Sequence, residues 1–213
     1  MRILIADDHS IVRSGLKRML ESEFPDLVIG EATNSRELLQ SVKGAEWDVL
    51  ILDIALGAES GLAALPRVKE ARPTLPVIVL SMYGERQFVM RALADGASAY
   101  LTKEQAADEE LFRAIRTVRT GRRYLGEALA EQLADHIAGG SSSNPSNPHQ
   151  TLSSRELEVF LLLAGARSVT EIAERLGISV KTVSTYRTRI LEKMALQSTA
   201  EIIQYAVRNG LVG

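Results

Sequence analysis

Five residues with charged or reactive side chains stand at or just beyond the ends of short apolar runs. They are Asp7, Asp8, Asp53, Ser81 and Lys103. Three carboxylates within ~4–5 Å of one another repel by a few kcal/mol per pair at an effective dielectric near ~20, so such a group requires cations. An all-oxygen set of this kind suits Mg²⁺. A carboxylate beside Mg²⁺, an ammonium group and a hydroxyl is arranged to receive and stabilise a phosphoryl group.

The apolar runs themselves predict the strands of a parallel sheet. They are Ile3–Ala6, Val28–Ala32, Val49–Leu52, Val77–Leu80 and Ala99–Leu101. Amphipathic segments with apolar residues at helical spacing separate these runs. This alternation predicts a doubly wound (βα)5 α/β domain whose five-stranded parallel sheet is built from right-handed βαβ units. Because the carboxyl ends of parallel strands meet at one edge of a sheet, we expect the five polar residues to lie together there.

The composition is that of a globular protein and excludes several classes of function. The 213 residues are 46% hydrophobic and 24% charged, with a net charge of −2 and no cysteine. The absence of cysteine excludes disulfides and thiolate metal sites and suits a reducing compartment. No apolar run approaches the roughly 20 residues of a membrane span, and the chain begins with a strand pattern rather than a signal peptide. We therefore expect a cytoplasmic protein that does not bind membranes.

The sequence divides into two domains and a linker. Residues 1–124 hold the strand and helix alternation. Residues 125–150 begin weakly helical and then become rich in Gly, Ser, Asn and Pro, which predicts a helical or flexible linker. Residues 151–213 show helical patterns without strand patterns, which predicts an all-α four-helix domain.

The helices of the C-terminal domain have clear start signals. Ser153, Ser168 and Ser198 are each followed three residues later by Glu, which is the spacing of a capping box. Gly177 is predicted to end one helix two residues before Ser179 caps the next. A helix, a short turn with glycine and a second helix form the helix-turn-helix pattern.

The helix predicted after this turn has one apolar and one polar side. At about 100° per residue, Val183, Ile190 and Met194 share the apolar stripe. The opposite side is short, polar and singly charged, with Lys181, Ser184, Thr185 and Thr188. Further cations flank it at Arg187, Arg189 and Lys193. Such a helix suits the major groove of DNA, with bases in front of it and phosphates at its edges.

Residues 1–124 resemble a bacterial two-component receiver domain along their full length. The matching motifs are Ala6-Asp7-Asp8, Leu52-Asp53, Gly61, Leu80-Ser81-Met82-Tyr83 and Tyr100-Leu101-Thr102-Lys103. The resemblance implies that a sensor histidine kinase phosphorylates Asp53 beside Lys103. It also implies a Mg²⁺ site formed by Asp8, Asp53 and the backbone carbonyl of Ala55, with Asp7 in outer-sphere support. Ser81 and Tyr100 would form the switch pair that reorients on phosphorylation.

Residues 151–213 are similar to the LuxR-type helix-turn-helix domain of NarL/FixJ regulators. The matching motifs are Leu152-Ser153-Ser154-Arg155-Glu156, Glu171-Ile172-Ala173, Ile178-Ser179-Val180-Lys181-Thr182-Val183 and Lys193-Met194. The resemblance implies that Lys181, Ser184, Thr185 and Thr188 face the bases. It implies that Thr182, Tyr186 and Arg189 contact phosphates.

Three positions depart from these family patterns. Gly57 stands where receivers usually carry proline, which we expect to loosen the loop without removing a ligand. Ala166 replaces a usual glycine at a helix end, where we expect neighbouring Gly165 to compensate. Tyr186 replaces a frequent histidine and still offers a hydroxyl to a phosphate.

The last predicted helix carries more apolar surface than a small domain can bury. Its apolar residues are Ala200, Ile203 and Val207 on one stripe, with Ile202 and Ala206 to the side. The part left exposed is a candidate dimer contact. An unphosphorylated chain that masks this helix and a receiver that dimerises on its own face remain alternative mechanisms.

The combined hypothesis is a response regulator and not an enzyme. Phosphorylation at Asp53 would control homodimerisation and binding to promoter DNA, with inverted repeats as sites and RNA polymerase as a further candidate partner. The alternative from the enzyme class is a phosphoaspartyl hydrolase, but such enzymes place their nucleophile in an Asp-x-Asp motif on the first strand. A second alternative is a receiver that dimerises without phosphorylation.

Overall fold

The computed structural model describes residues 1–56, 59–82, 86–104, 106, 109–126, 129–130 and 148–211, without the side chains of 59, 86, 87, 150 and 154. The chain splits into two compact units, Met1–Ser141 and Ser142–Gly213. Most of the predicted linker lies outside the described residues, so the linker and its boundaries stay a prediction. Among the described helices, none is long and apolar enough to cross a membrane.

The first unit alternates strands and helices along the chain. Its strands are β1 (Arg2–Ala6), β2 (Val28–Ala32), β3 (Val49–Asp53), β4 (Ala55–Leu56), β5 (Glu59–Ser60), β6 (Val77–Ser81), β7 (Ala99–Thr102) and β8 (Tyr124–Leu125). Its helices are α1 (Ser10–Glu23), α2 (Ser35–Gly44), α3 (Gly61–Ala71), α4 (Arg86–Ala94) and α5 (Glu109–Arg119).

The main sheet is parallel throughout, with the order β2-β1-β3-β6-β7-β8. The five predicted strands and their doubly wound arrangement are confirmed. The sixth strand, β8, was missed because two residues are too few to show a periodicity. Strands β4 and β5 form a separate antiparallel pair directly after the end of β3.

The core explains why these segments form strands and helices. All five residues of β3 are buried, as a strand covered by helices on both faces must be. Helices α1 and α5 pack on one face of the sheet, and the predicted stripe of Leu111, Ile115 and Val118 is fully buried there. Leu16 of α1 is buried in the same cluster.

The second unit is helical throughout its described part. A 3₁₀ turn (Pro148–Thr151) is followed by α6 (Ser154–Ala164), α7 (Val169–Leu176), α8 (Val180–Met194) and α9 (Thr199–Arg208). The four predicted helices are therefore confirmed.

Two of the three predicted capping boxes are complete. Ser153 and Ser168 each accept a hydrogen bond from the backbone of the Glu three residues later, and that Glu accepts from the serine backbone in return. Ser198 accepts from the Glu201 backbone, but the Glu201 carboxylate accepts from the backbone N–H of Gln197 at 2.9 Å. Helix α9 therefore begins with a serine cap, and its Glu201 carboxylate accepts from the backbone of Gln197, one residue before the cap.

The helix ends correct one expectation. Gly177 ends α7 as predicted, and it does so in the left-handed conformation, with φ of 62°. Ala166, however, adopts φ of 58° itself, while Gly165 before it has φ of −76°. Gly165 does not compensate, because the left-handed position of a helix end lies one residue past it. Ala195 ends α8 in the same way, with φ of 54°.

Candidate functional sites

The carboxyl edge of the sheet brings Asp7, Asp53 and Lys103 into direct contact. Asp7 directly follows β1, Asp53 ends β3 and Lys103 directly follows β7. Lys103 Nζ lies 2.9 Å from Asp7 Oδ2 and 2.8 Å from Asp53 Oδ2. Asp7 and Asp53 are only 1% and 3% exposed. The predicted convergence of these three residues is confirmed, although they lie 50 and 96 residues apart from Lys103.

The site contains two buried carboxylates and one ammonium group, so one negative charge lacks a partner of opposite sign within this trio. Burial raises the pKa of Asp53 from 3.8 to about 7, and the charge of Asp7 adds to the rise, while Lys103 opposes it. Burial lowers the pKa of Lys103, but the charge of Asp53 and hydrogen bonds to both carboxylates outweigh it, and the net shift is upward. Lys103 therefore stays charged, and the excess negative charge favours a bound cation.

Asp8 and His9 complete an acidic cluster at this edge. Ligand atoms of Asp7, Asp8, His9 and Asp53 all lie within 4.8 Å of one another. The carboxylate oxygens suit Mg²⁺, which prefers hard oxygen donors. His9 was missed by the sequence analysis, yet its Nδ1 lies 2.7 Å from Asp8 Oδ1. Its position directly after the acidic pair was the available signal.

The chain after Asp53 folds tightly against this residue. The backbone of Ala55 is hydrogen-bonded to the Asp53 carboxyl group. The Gly61 N–H donates to the carbonyl of Ile54 at 2.6 Å, and a Cβ on Gly61 would lie 1.9 Å from the Asp53 carbonyl oxygen. Glycine is therefore required here by close approach of the backbone. Gly57 lies outside the described residues, so the effect expected from its replacement of proline stays a prediction.

The predicted switch residues lie on the two neighbouring strands. Ser81 ends β6 and is fully buried, and its carbonyl accepts a hydrogen bond from the Lys103 N–H at 2.7 Å. Tyr100, in β7, is also fully buried. The structure thus connects the Ser81 backbone to Lys103, while the switching roles of both side chains stay a prediction.

The second candidate site is helix α8 with the turn before it. Val183, Ile190 and Met194 are buried, as the helical wheel predicts. Lys181, Ser184, Thr185 and Thr188 are all exposed. The helix therefore presents the predicted short polar surface away from the core.

The hydroxyl groups on this polar surface are bonded to the helix itself. Ser184, Thr185 and Thr188 each donate to the carbonyl four residues earlier, at 2.9, 3.0 and 3.1 Å. Their oxygen lone pairs and the threonine methyl groups remain for an external partner. Thr182 and Tyr186 are partly buried, and Arg189 is exposed.

Two of the predicted flanking cations have partners within the same unit. Lys193 Nζ donates to Glu156 Oε2 at 2.6 Å, and Arg187 Nε donates to Thr199 Oγ1 at 2.9 Å. Arg187 and Lys193 therefore bond to groups of their own unit, and their place at the edges of the groove stays a prediction. The helical wheel could not show partners on other helices.

Helix α9 buries one apolar stripe and exposes another. Ile202 and Ala206 are fully buried, whereas Val207 is 62% exposed. Ile203 is partly buried and Ala200 is exposed. The stripe available for a partner is therefore formed by Ala200, Ile203 and Val207.

Comparisons with known proteins identify the family of each of the two units. The model of the response regulator receiver domain matches residues 3–116, and the model of the bacterial regulatory proteins of the luxR family matches residues 150–206. The oxygen regulatory protein NreC of Staphylococcus aureus (strain bovine RF122 / ET3-1) is 36% identical over 216 residues, covering 100% of this chain and 99% of NreC. NreC of Staphylococcus carnosus (strain TM300) is also 36% identical over the same length.

Solved structures of response regulators are similar in fold to all or part of this chain. The RcsB response regulator of Salmonella typhimurium aligns with a TM-score of 0.59 and 28% identity, covering 97% of this chain and 98% of RcsB. A LuxR-family two-component response regulator from Aurantimonas sp. SI85-9A1 aligns with a TM-score of 0.60 and 27% identity, covering 64% of this chain and 97% of its own. This chain belongs to the two-component response regulators that join a receiver domain to a LuxR-type DNA-binding domain.

Proposed function

We propose that Asp53 accepts a phosphoryl group from a sensor histidine kinase and that this modification controls promoter binding by helix α8. The observation that carries the proposal is the contact of Lys103 with Asp53 at 2.8 Å in a buried acidic cluster. The same chain presents an exposed polar recognition helix. A site that accepts phosphate and a surface that reads DNA make up a signalling switch.

The receiver site supports phosphoryl transfer through its own charges. Mg²⁺, held by Asp8, Asp53 and the carbonyl of Ala55 with Asp7 in support, would neutralise the negative charge of the transferred group. The Asp53 carboxylate is the nucleophile, and Lys103 is placed to stabilise negative charge that develops on the phosphoryl oxygens. Ser81 and Tyr100 would then transmit the change, Ser81 by bonding a phosphoryl oxygen and Tyr100 by moving in the space this opens.

The effector surface supports sequence-specific binding. Lys181, Ser184, Thr185 and Thr188 would face the bases, and Thr182, Tyr186 and Arg189 would contact phosphates. One relative supports binding to promoter DNA. RcsB from Salmonella enterica serovar Typhimurium has been solved bound to promoter P1flhDC in the presence of phosphomimetic BeF3⁻. That structure is 27% identical and covers 96% of this chain.

Dimerisation would connect the two events. The exposed stripe on α9 is apolar. Symmetric contact of two copies of the chain through this stripe would place two α8 helices on an inverted repeat. Phosphorylation would shift the population toward the dimer, and a differential stability of about 1–3 kcal/mol gives a 5–150-fold change in affinity. RNA polymerase is a further partner of a promoter-bound regulator.

The test of the proposal is chemical labelling of the full chain. Incubation with a small phosphodonor and Mg²⁺ is expected to add one phosphoryl group, which peptide mass spectrometry should place on Asp53. The Asp53→Asn variant and wild type in EDTA should remain unlabelled. Undiminished labelling of Asp53→Asn, or labelling that leaves promoter affinity unchanged, would contradict the proposal.

A further inference from the structure

We propose that Arg155 and Glu156, in the first turn of α6, are positioning residues that set the orientation of the recognition helix α8. The inference rests on the proposed function of α8 as the helix that reads DNA. Neither residue belongs to the proposed DNA surface. Arg155 is 5% exposed and Glu156 is 3% exposed, so neither is available to DNA.

Glu156 holds the far end of the recognition helix. Its Oε2 accepts a hydrogen bond from the Ser153 backbone N–H at 2.7 Å, which completes the capping box of α6. The same oxygen accepts from Lys193 Nζ at 2.6 Å. Lys193 lies in the last turn of α8, so one carboxylate oxygen joins the start of α6 to the end of the recognition helix.

Arg155 holds the end of the preceding helix. Its Nη2 donates to the carbonyl of Leu176, the last residue of α7, at 3.1 Å. Its Nη1 donates to the buried carboxylate of Glu158, which fixes the guanidinium group in place. Leu176 is followed by Gly177, where the turn of the helix-turn-helix begins. Two adjacent residues of α6 therefore bind both helices of the motif.

These contacts act at a distance from the bases. Lys181 lies in the first turn of α8 and Lys193 in the last, about 18 Å away at ~1.5 Å per residue. A tilt of the helix about its buried middle would displace the residues that face the bases. Hydrogen bonds to base edges tolerate only a few tenths of an ångström around ~2.9 Å, so a small tilt removes sequence-specific contacts. Contacts to the phosphate backbone are less demanding in geometry because they depend mainly on charge.

The capping box alone does not account for the Glu156 arrangement. The Glu171 carboxylate likewise accepts from the Ser168 backbone N–H at 2.7 Å, which completes the capping box of α7. Its partner cation is Arg167, at 3.8 Å, which lies just before the same helix and not on another one. Glu171 is exposed, whereas the side chain of Glu156 is 4% exposed. The chain thus contains a matched pair of capping glutamates, and of these two Glu156 also binds the recognition helix.

This pair defines the experiment. Glu156→Gln and Glu171→Gln each remove one negative charge and leave an amide oxygen that can still accept the capping hydrogen bond. The affinity of the phosphorylated full-length chain is measured for a site selected from random DNA and for unrelated DNA. We expect Glu156→Gln to lower the ratio of the two affinities at least about fivefold, the value of one lost base contact. Glu171→Gln should change the ratio by less than twofold.

A second variant separates positioning from direct DNA contact. If Lys193 positions the helix, Lys193→Met should lower the same ratio and leave the salt dependence of non-specific binding unchanged. If Lys193 instead neutralised a phosphate, the variant would weaken both kinds of binding and reduce the slope of log affinity against log salt by about 0.9. That second result, or an equal effect of Glu156→Gln and Glu171→Gln, would overturn the inference.

A measurement without DNA tests the positioning of α8 separately from the proposed function. Residual dipolar couplings report the angle between α8 and α6 in the full chain. We expect Glu156→Gln to change this angle and Glu171→Gln to preserve it, with the helices retained in both. An unchanged angle in Glu156→Gln would contradict positioning, while a wild-type chain that binds all DNA equally would contradict only the proposed function.

Discussion

Replacing Asp53 with asparagine is expected to stabilise the receiver domain in the absence of divalent cations. Two buried carboxylates, Asp7 and Asp53, share the ammonium group of Lys103. Asparagine is similar in size to aspartate and removes one of the two negative charges. The remaining Lys103–Asp7 pair is then balanced, so the folded state should lose the cost of burying the Asp53 charge and the repulsion of that charge by Asp7.

Two estimates give the size of the effect. The pKa of Asp53 rises from 3.8 to about 7, and at ~1.4 kcal/mol for each tenfold change in equilibrium this is about 4 kcal/mol. Two charges within 4.8 Å of each other repel by about 3 kcal/mol at an effective dielectric near ~20. The loss of the hydrogen bond from Lys103 to the Asp53 carboxylate offsets part of this gain. We expect Asp53→Asn to raise the free energy of unfolding by about 2–4 kcal/mol at neutral pH.

The pH dependence follows from the direction of the shift. Since the folded-state pKa of Asp53 is raised, the folded protein binds its proton more tightly than the unfolded chain does. The stability that this proton contributes to the folded state is fully present below about pH 3.8 and is lost as the pH rises to about 7. The variant lacks this titration. The difference in stability between variant and wild type should therefore grow from pH 4 to pH 7 and stay constant above it.

Trp47 provides the assay in the full-length chain. It is the one tryptophan of the sequence and lies in the receiver, where its Nε1 donates to the Ser41 carbonyl at 2.9 Å. Its fluorescence during urea unfolding in EDTA should show a midpoint about 1–2 M higher for Asp53→Asn. Millimolar Mg²⁺ should reduce the difference in urea midpoint between the variant and wild type, because it stabilises the wild-type protein. An unchanged or lower midpoint for the variant would refute the argument that the acidic cluster carries uncompensated charge.

Three further predictions concern the C-terminal domain. Ala166→Gly and Ala195→Gly should each raise the thermal stability of this domain by about 1 kcal/mol in calorimetry, because glycine adopts a positive φ without strain. Arg189→Ala should weaken specific and non-specific DNA binding equally and reduce the salt slope by about one, whereas Thr185→Ala should weaken the specific site alone, by about 1–3 kcal/mol in fluorescence anisotropy. Val207→Glu should weaken self-association of the phosphorylated chain in sedimentation without unfolding it, since the side chain is 62% exposed.

Much of the receiver could be predicted because its chemistry follows directly from its strands. Asp53 and Lys103 were identified from their positions after apolar runs, and parallel pairing then brings them to one edge. The strand β8 and the antiparallel pair β4–β5 were missed, since two-residue strands have no periodicity of their own and form only against neighbours.

The C-terminal domain shows the limit of single-helix reasoning. The wheel of α8 gave its buried stripe correctly because that stripe depends on helix geometry alone. It placed Lys193 at the edge of the polar side but could not show the partner of this lysine, because a wheel contains no information about other helices. The structure places a carboxylate from α6 within 2.6 Å of this lysine. The left-handed backbone falls on Ala166 and not on Gly165, because the position in the helix end and not the residue type decides which residue adopts it.

The contacts of Lys193 and Lys103 with buried carboxylates differ in a way that fits their proposed roles. Lys193 contacts one buried carboxylate, that of Glu156. Burial raises the pKa of Glu156, but hydrogen bonds from Lys193 and Ser153 and the charge of Lys193 outweigh it, so the net shift is downward. The contact is balanced and suits a fixed support. Lys103 is divided between two carboxylates, and the pKa of Asp53 is raised. In the proposed function, a phosphoryl group on Asp53 would add negative charge where a cation is already shared, and Lys103 would move toward that group. A balanced contact is suited to hold a helix in place, whereas the unbalanced contact of Lys103 is suited to rearrange on phosphorylation.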